Sequence, residues 1–94
     1  MAEIIIPTPL RKFTDNMNKF STSAKTVGDA IAELTARYPG LKEHIYGNHG
    51  NVRSFIKVLV GEDDMKSLDD VQTAVEDRTV ISIVPAIAGG NFIV

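Results

Sequence analysis

The C-terminal part of the chain carries the residues whose types and spacing could do chemistry. The segment VISIVPAIAGGNFIV runs from an apolar stretch through Pro85 and small residues to Gly89-Gly90, and then continues for four more residues. Glycine has no side chain and allows the backbone to approach another surface closely. Proline supplies no N–H to a sheet and therefore favours the end of a strand. Such a slender segment suits the closed active site of another protein better than burial in its own core.

The residues after Pro85 would form an extended arm. They are Ala86, Ile87, Ala88, Gly89 and Gly90. At about 3.4 Å for each extended residue, the arm reaches roughly 17 Å, which carries Gly90 well beyond the surface of a small domain. We therefore predict that residues 85–90 are a flexible arm entering partner active sites. The alternative is a turn at Gly89-Gly90 before an apolar tail that docks on its own domain.

Length and composition limit the classes of function. The chain has 94 residues, 44% of them hydrophobic, and a formal net charge of -2, which indicates one domain. No apolar run approaches the roughly 20 residues that span a bilayer. The N-terminal MAEIIIPTPL lacks the basic start of a secretory signal. The basic residues are scattered, which disfavours nucleic acid. We expect a cytoplasmic protein with no membrane partner.

The side chains offer no evident catalytic or metal site. The absence of cysteine excludes disulfides, thiolate metal sites and cysteine nucleophiles. His44 and His49 lack a third ligand at a motif spacing, so we expect surface or packing roles. Three acidic groups lack the alternating spacing of a calcium loop and are expected to be solvated turn charges. They are Glu62-Asp63-Asp64, Asp69-Asp70 and Glu76-Asp77.

The N-terminal half predicts a hairpin and a helix. EIIIP predicts a strand over 3–6, and Pro9 is expected to keep the next residues out of regular structure. After turn residues at Asp15-Asn16, the alternating MNKFSTS predicts a second strand with Phe20 and Thr22 on one face.

TVGDAIAELTARYPG predicts the main helix, with Thr26 as N-cap, Asp29 favouring its positive end and Pro39-Gly40 ending it. Its apolar face is Val27, Ala30, Ile31, Leu34 and Tyr38, at helical spacing. LKEHIY predicts a further short turn of helix.

The C-terminal half predicts two more strands. VRSFIKVLVG is expected to place Ile56, Val58 and Val60 on one face, followed by a tight turn over 61–64, and the last strand covers 79–84. Residues 65–77 are a mixed connector that Leu68, Val71 and Val75 are expected to pin to the core. We also expect Phe20, Phe55 and Ile56 in the core. An exposed patch around Val58 or Val60 is a possible partner surface.

The order strand, strand, helix, strand, connector, strand predicts a β-grasp, ubiquitin-like domain. This α+β fold packs a mixed sheet of four to five strands on one main helix. The first and last strands are the most apolar, so we expect them to be neighbours at the centre of the sheet. We assign residues 1–88 to the domain, 85–90 to the arm and 91–94 to a removable propeptide.

The chain resembles the MoaD/ThiS family of ubiquitin-like sulfur carriers. The resemblance is carried by TVGDAIAELTARYPGLKEHI, by FIKVLVGEDD and above all by VISIVPAIAGG, and it covers nearly the whole chain up to Gly90. The opening IPTPLR fits carriers that supply a dedicated cysteine synthase. Gly-Gly alone is a weak motif, but directly after an apolar final strand in this element order it is fairly specific.

The resemblance implies a protein cosubstrate with no catalytic residue and no bound cofactor of its own. In the family, an ATP-dependent, E1-like activating enzyme adenylates the terminal glycine carboxylate, and sulfur replaces AMP to give a thiocarboxylate. That sulfur attacks an aminoacrylate on the pyridoxal phosphate of a synthase, and a zinc-dependent JAMM peptidase releases the amino acid. The resemblance places the reactive carbonyl at Gly90 and the entering arm at 85–89.

The chain departs from activated family members because Asn91-Phe92-Ile93-Val94 follow Gly90. An amide at Gly90 cannot be adenylated. Some similar carriers are precursors that a JAMM peptidase trims, which predicts cleavage between Gly90 and Asn91. Such precursors can serve homocysteine and methionine rather than cysteine formation, so the acceptor stays open. The four residues could also be a docked edge strand or a cloning remnant.

Three other functions remain open at this point. Gly90 could be joined to lysine amines, as in a ubiquitin-like modifier. The chain could be the small subunit of a molybdopterin synthase, or a plain β-grasp binding module. The sequence names neither the activating enzyme nor the oligomeric state.

Overall fold

The computed structural model describes residues 1–47, 50, 52 and 56–85. Within them the strands and α-helices follow the order β1 (Ala2–Ile5), β2 (Lys19–Thr22), α1 (Val27–Arg37), α2 (Lys42–Ile45), β3 (Ile56–Val60), β4 (Asp63–Asp64) and β5 (Val80–Pro85). Segments of 3-10 helix lie at Thr8–Phe13, Pro39–Leu41, Met65–Ser67 and Asp70–Gln72. None of the described helices is long and apolar enough to cross a membrane.

The strands form one mixed sheet in the order β2-β1-β5-β3-β4. β1 and β5 run parallel at its centre, and the remaining neighbours are antiparallel. The predicted hairpin of the first two strands and the central pairing of the first and last strands are both confirmed. A five-stranded mixed sheet with one main helix packed on it confirms the α+β, ubiquitin-like β-grasp prediction.

The core lies between α1 and one face of the sheet. Val27, Ala30, Ile31 and Leu34 of α1 are fully buried, as the helical spacing predicted. From the sheet they meet Ile4, Val58, Ile81 and Ile83. The Thr26 hydroxyl accepts a hydrogen bond from the amide of Asp29 at 3.2 Å and confirms the N-cap. Leu41 and Ile45 around α2 are also buried, as expected.

The segment after β1 corrects one prediction. β1 ends at Ile5, and Pro9 does not keep the next residues irregular, because Thr8–Phe13 forms a 3-10 helix. Proline is tolerated in a first helical turn, where its missing N–H would have no intrahelical partner. The Arg11 side chain donates from Nε to the carbonyl of Ile6 at 3.0 Å and fixes the turn against the end of the strand.

The connector before β5 corrects two more predictions. Asp63–Asp64 is not simply a turn, because it pairs with Leu59 and Val60 as β4. Leu68 and Val71 do not pin the connector, since their side chains are 43% and 37% exposed. Val75 is buried as predicted, and Met65, 1% exposed, is the second anchor.

Capping and backbone bonds explain which connector residues point inward. The Asp64 carboxylate accepts from the amide of Lys66 at 2.9 Å and starts the 3-10 helix that turns Met65 toward the core. The carbonyl of Thr73 accepts a hydrogen bond from the amide of Val27, and the amide of Val75 donates one to the carbonyl of Lys25. These two bonds tie the connector to the start of α1.

Candidate functional site

The site predicted from the sequence begins where β5 ends. Ile81 and Ile83 of β5 face the core and are 0% and 3% exposed. Pairing with β1 reaches Ser82, and pairing with β3 continues to Pro85, which lies opposite Ile56. The central strand is therefore held by the core and by β3 up to Pro85, its last residue.

Of the predicted arm and cleavage-site residues, the structure describes Pro85. It is half-buried and is the last residue of β5, so an arm would start after it. The predicted residues Ala86, Ile87, Ala88, Gly89, Gly90 and Asn91 lie outside the described residues, as do 92–94. Their roles as arm, activation site and cleavage site therefore stay predictions.

The sheet has an open face on the side away from α1. The residues exposed on it are not the predicted ones. Val58 is 1% exposed and faces the helix, and Val60 packs partly against the core, so the predicted patch around them is wrong. The outward residues of the neighbouring strand are Val80 and Val84, at 39% and 38% exposure. Alternation in VISIV carried this signal, because inward isoleucines at 81 and 83 require the flanking valines to point outward.

The strand register defines the rows of this open face. Ile5, Ser82 and Leu59 lie opposite one another on β1, β5 and β3. One row nearer the end of β5, Val84 lies opposite Lys57 of β3. A small apolar surface with a polar surround thus lies beside Pro85, the last residue of β5.

His44 of α2 has a packing role. The imidazole of His44 stacks on the ring of Phe13, with 4.3 Å between ring centroids, which confirms the predicted packing role. His49 lies outside the described residues. Across the residues that the structure does describe, no three histidine or carboxylate side chains are grouped closely enough to hold a metal ion.

A shallow groove on the helix side is lined by Thr35, Ala36, Pro39, Lys42 and Tyr46. Burial raises the pKa of the Tyr46 phenol, and a hydrogen bond with Thr35 acts in the opposite direction. A tyrosine held neutral in this way is a packing and hydrogen-bonding group rather than a base at neutral pH.

Comparison with known proteins agrees with this geometry. The model of the ThiS family matches residues 4–90. The chain belongs to the ThiS family. The sulfur carrier protein CysO of Mycobacterium tuberculosis (strain ATCC 25618 / H37Rv) is 33% identical over 89 residues, which cover 93% of this chain and 96% of the relative. The small archaeal modifier protein 3 of Haloferax volcanii is 35% identical over 65 residues, covering 69% of this chain and 70% of the relative.

A solved structure gives the same result in three dimensions. The CysO-containing crystal structure of the Amycolatopsis orientalis BexX/CysO complex matches with a TM-score of 0.85 and 28% identity, over 96% of this chain and 100% of the other. This member of the ThiS family is therefore a CysO-like sulfur carrier. It is a small ubiquitin-like protein and not itself an enzyme.

Proposed function

We propose that the chain carries sulfur as a thiocarboxylate on Gly90, formed after residues 91–94 are removed, and donates it in cysteine or homocysteine biosynthesis. The observation that carries the proposal is the extent of the family match. It runs from residue 4 to residue 90 and therefore stops at the second glycine, four residues before the end of the sequence. A peptide bond between Gly90 and Asn91 blocks activation, so hydrolysis there comes first.

Activation is needed because a carboxylate is a poor electrophile. The Gly90 carboxylate attacks the α-phosphorus of ATP and releases pyrophosphate, giving an acyl-adenylate. A sulfide donor then attacks the carbonyl carbon and expels AMP, leaving the thiocarboxylate. The enzyme must exclude water during these steps, and small residues at Ala86, Ala88 and Gly89 keep the arm narrow enough for a closed site.

The chemistry requires three kinds of partner. An E1-like activating enzyme uses ATP to adenylate Gly90, and a pyridoxal-phosphate-dependent synthase supplies the acceptor. A zinc-dependent JAMM peptidase hydrolyses the bond after Gly90. The complex of CysO with BexX supports the idea that carriers of this shape bind a partner protein directly. We place these steps in the cytoplasm.

Intact mass spectrometry of the protein from its own cells, grown on limiting sulfur, tests the proposal. The expected species has lost the last four residues and gained about 16 Da, because one oxygen is replaced by sulfur. A Gly90→Ala variant in the same cells is the matched control, since it alters the residue to be activated and leaves every described element intact. A mass equal to all 94 residues under every condition contradicts the proposal.

A second candidate function is protein modification. The 35% identity to a small archaeal modifier protein favours it, because a lysine amine can attack the same activated carbonyl that sulfide attacks. Trypsin cuts after Arg78, and 79–90 contains neither lysine nor arginine, so a modified lysine would keep those twelve residues as its remnant. Peptides bearing this remnant in cell extract would establish the modifier function. Stable co-purification with a larger subunit would instead indicate a molybdopterin synthase.

A further inference from the structure

The open face of the sheet carries two lysines near the root of the arm. Lys19 lies opposite Ile5, and Lys57 lies opposite Val84, the residue before Pro85. Both lysines are exposed, and both alternate with inward residues of their strands. β2 and β3 are separated by β1 and β5 in the sheet, so the two strands lie roughly 14 Å apart at about 4.8 Å for each strand spacing. Val84 lies between the two lysines.

Charge is distributed unevenly over the same face. Its far end carries Glu3, opposite Ser21 and Val80. Asp64 lies opposite Leu59, in the same row as Lys19 but at the other edge of the sheet. Further carboxylates lie beyond the far end, before β5 and between β3 and β4. They are Glu62, Glu76 and Asp77. The net charge of -2 therefore conceals an uneven distribution, with Lys19 and Lys57 in the two rows nearest Pro85 and carboxylates at the far end and at the β4 edge.

Two other cations already have contacts within the domain. Arg11 donates to the Ile6 carbonyl, and the Lys12 ammonium lies 5.3 Å from the centroid of the Phe13 ring, so both have roles in the domain. Lys19 and Lys57 make no side-chain hydrogen bond or ion pair with any residue in the described ranges. Their charges remain available to another molecule.

We propose that Lys19 and Lys57 bind carboxylates of a partner protein whose acidic rim surrounds the active-site mouth that receives the arm. This rests on the carrier function proposed above. A partner that takes the arm must approach the face beside Val84, and carboxylates placed there would attract the two lysines during approach and favour this orientation. Glu3 at the far end and Asp64 at the β4 edge would repel the same rim in other orientations. A polyanion such as nucleic acid fits poorly, because those acids share the face.

Charge reversal tests the inference with the form that ends at Gly90, which keeps every described element. The substrate pair is this chain and the E1-like activating enzyme of the same organism, with ATP–pyrophosphate exchange as the readout. For Lys19→Glu combined with Lys57→Glu, we expect the KM for the carrier to rise by at least about 10-fold with kcat unchanged, and the KM to depend less on salt. Lys57→Arg should keep the KM of the unaltered chain.

Lys25→Glu and Lys66→Glu are matched controls, because both are exposed lysines away from the root of the arm. Their KM should stay within about two-fold of the unaltered chain. Equal KM values for all variants, with Gly90 still adenylated, would overturn the role of the two lysines and leave the carrier function standing. If the unaltered chain is never adenylated, the carrier function fails, and the inference fails with it.

Two other occupants of this face give distinguishable results. If the unaltered chain sediments as a dimer and Lys57→Glu makes it a monomer, the face binds a second copy, which overturns the inference. If an amine-acetylating reagent modifies Lys19 and Lys57 in the chain ending at Gly90 but spares them in the full chain, the chain's own last residues cover the face, which also overturns it.

Discussion

Individual residues with unusual backbone angles mark the turns of this domain. Asp15, Asn16 and Asp70 have φ values of 54°, 65° and 54°, and Gly61 has a φ of 65°. Aspartate and asparagine tolerate this left-handed region better than other side chains do, and glycine enters it freely. Three of these four residues lie in turns that were visible in the sequence, Asp15-Asn16 and the start of GEDD.

Gly61 permits a test of this conformational role. Alanine at this position would meet no atom within 4 Å, so its cost comes from the backbone angle alone. Gly61→Ala should lower the free energy of unfolding by about 1 kcal/mol, measured by urea titration. Gly40→Ala is the control, since an added Cβ there meets the Phe13 ring at an ordinary 3.5 Å. Equal stability of the two variants would contradict the prediction.

The orientation of residues that depends on partners distant in the sequence could not be predicted from the sequence. Thr26 was recognisable as a cap because its partner lies three residues away. Leu68, Val71 and Met65 were not separable by residue type, since all three are apolar and lie in an irregular connector. The backbone hydrogen bonds between Thr73 and Val27 and between Val75 and Lys25 tie the connector to the start of α1. Sequence spacing does not show such bonds between distant residues.

At the scale of elements, the strands whose own residue pattern indicates a strand were predicted. The one strand that forms only by pairing with its neighbour was not. β1, β3 and β5 are apolar runs, and β2 alternates, so their own residues indicate them. β4 consists of Asp63 and Asp64 and exists because it pairs with β3. The open-face patch failed for a related reason, because the choice between Val58 and Val84 depends on which face of each strand the helix covers.

The end of α2 predicts an alkaline weakening of the fold. Burial raises the folded-state pKa of Tyr46 above its ordinary 10.0, so folding favours the neutral phenol. This contribution is fully present below about pH 10 and is lost as the pH rises through the folded-state pKa. Urea midpoints for the natural chain should therefore fall above about pH 10 more steeply than those for Tyr46→Phe. Parallel curves for the two proteins would exclude Tyr46 as the cause.

At the scale of the whole molecule, the described fold extends to Pro85 and the family match extends further. The last core residue described is Ile83, and Pro85 is the last described residue that pairs in the sheet. The family match continues to Gly90. Fold and family were predictable because hydrophobic periodicity and the Gly-Gly position are both local signals. The behaviour of 86–94 was not, because the sequence is compatible with a free arm and with a tail docked on the open face.

Removing residues 91–94 distinguishes those two possibilities. If the domain is complete at Pro85, the chain ending at Gly90 should unfold with a free energy within about 0.5 kcal/mol of the full chain, as surface changes usually do. Ile83→Ala is the positive control, because loss of a buried isoleucine side chain costs about 2–5 kcal/mol and shows that urea titration detects damage to β5. A loss above about 1 kcal/mol on removing the four residues would instead mean that Phe92, Ile93 or Val94 packs on the domain. Peptidase access to the bond after Gly90 would then require that contact to open first, and the carrier would be released for activation only as often as it opens.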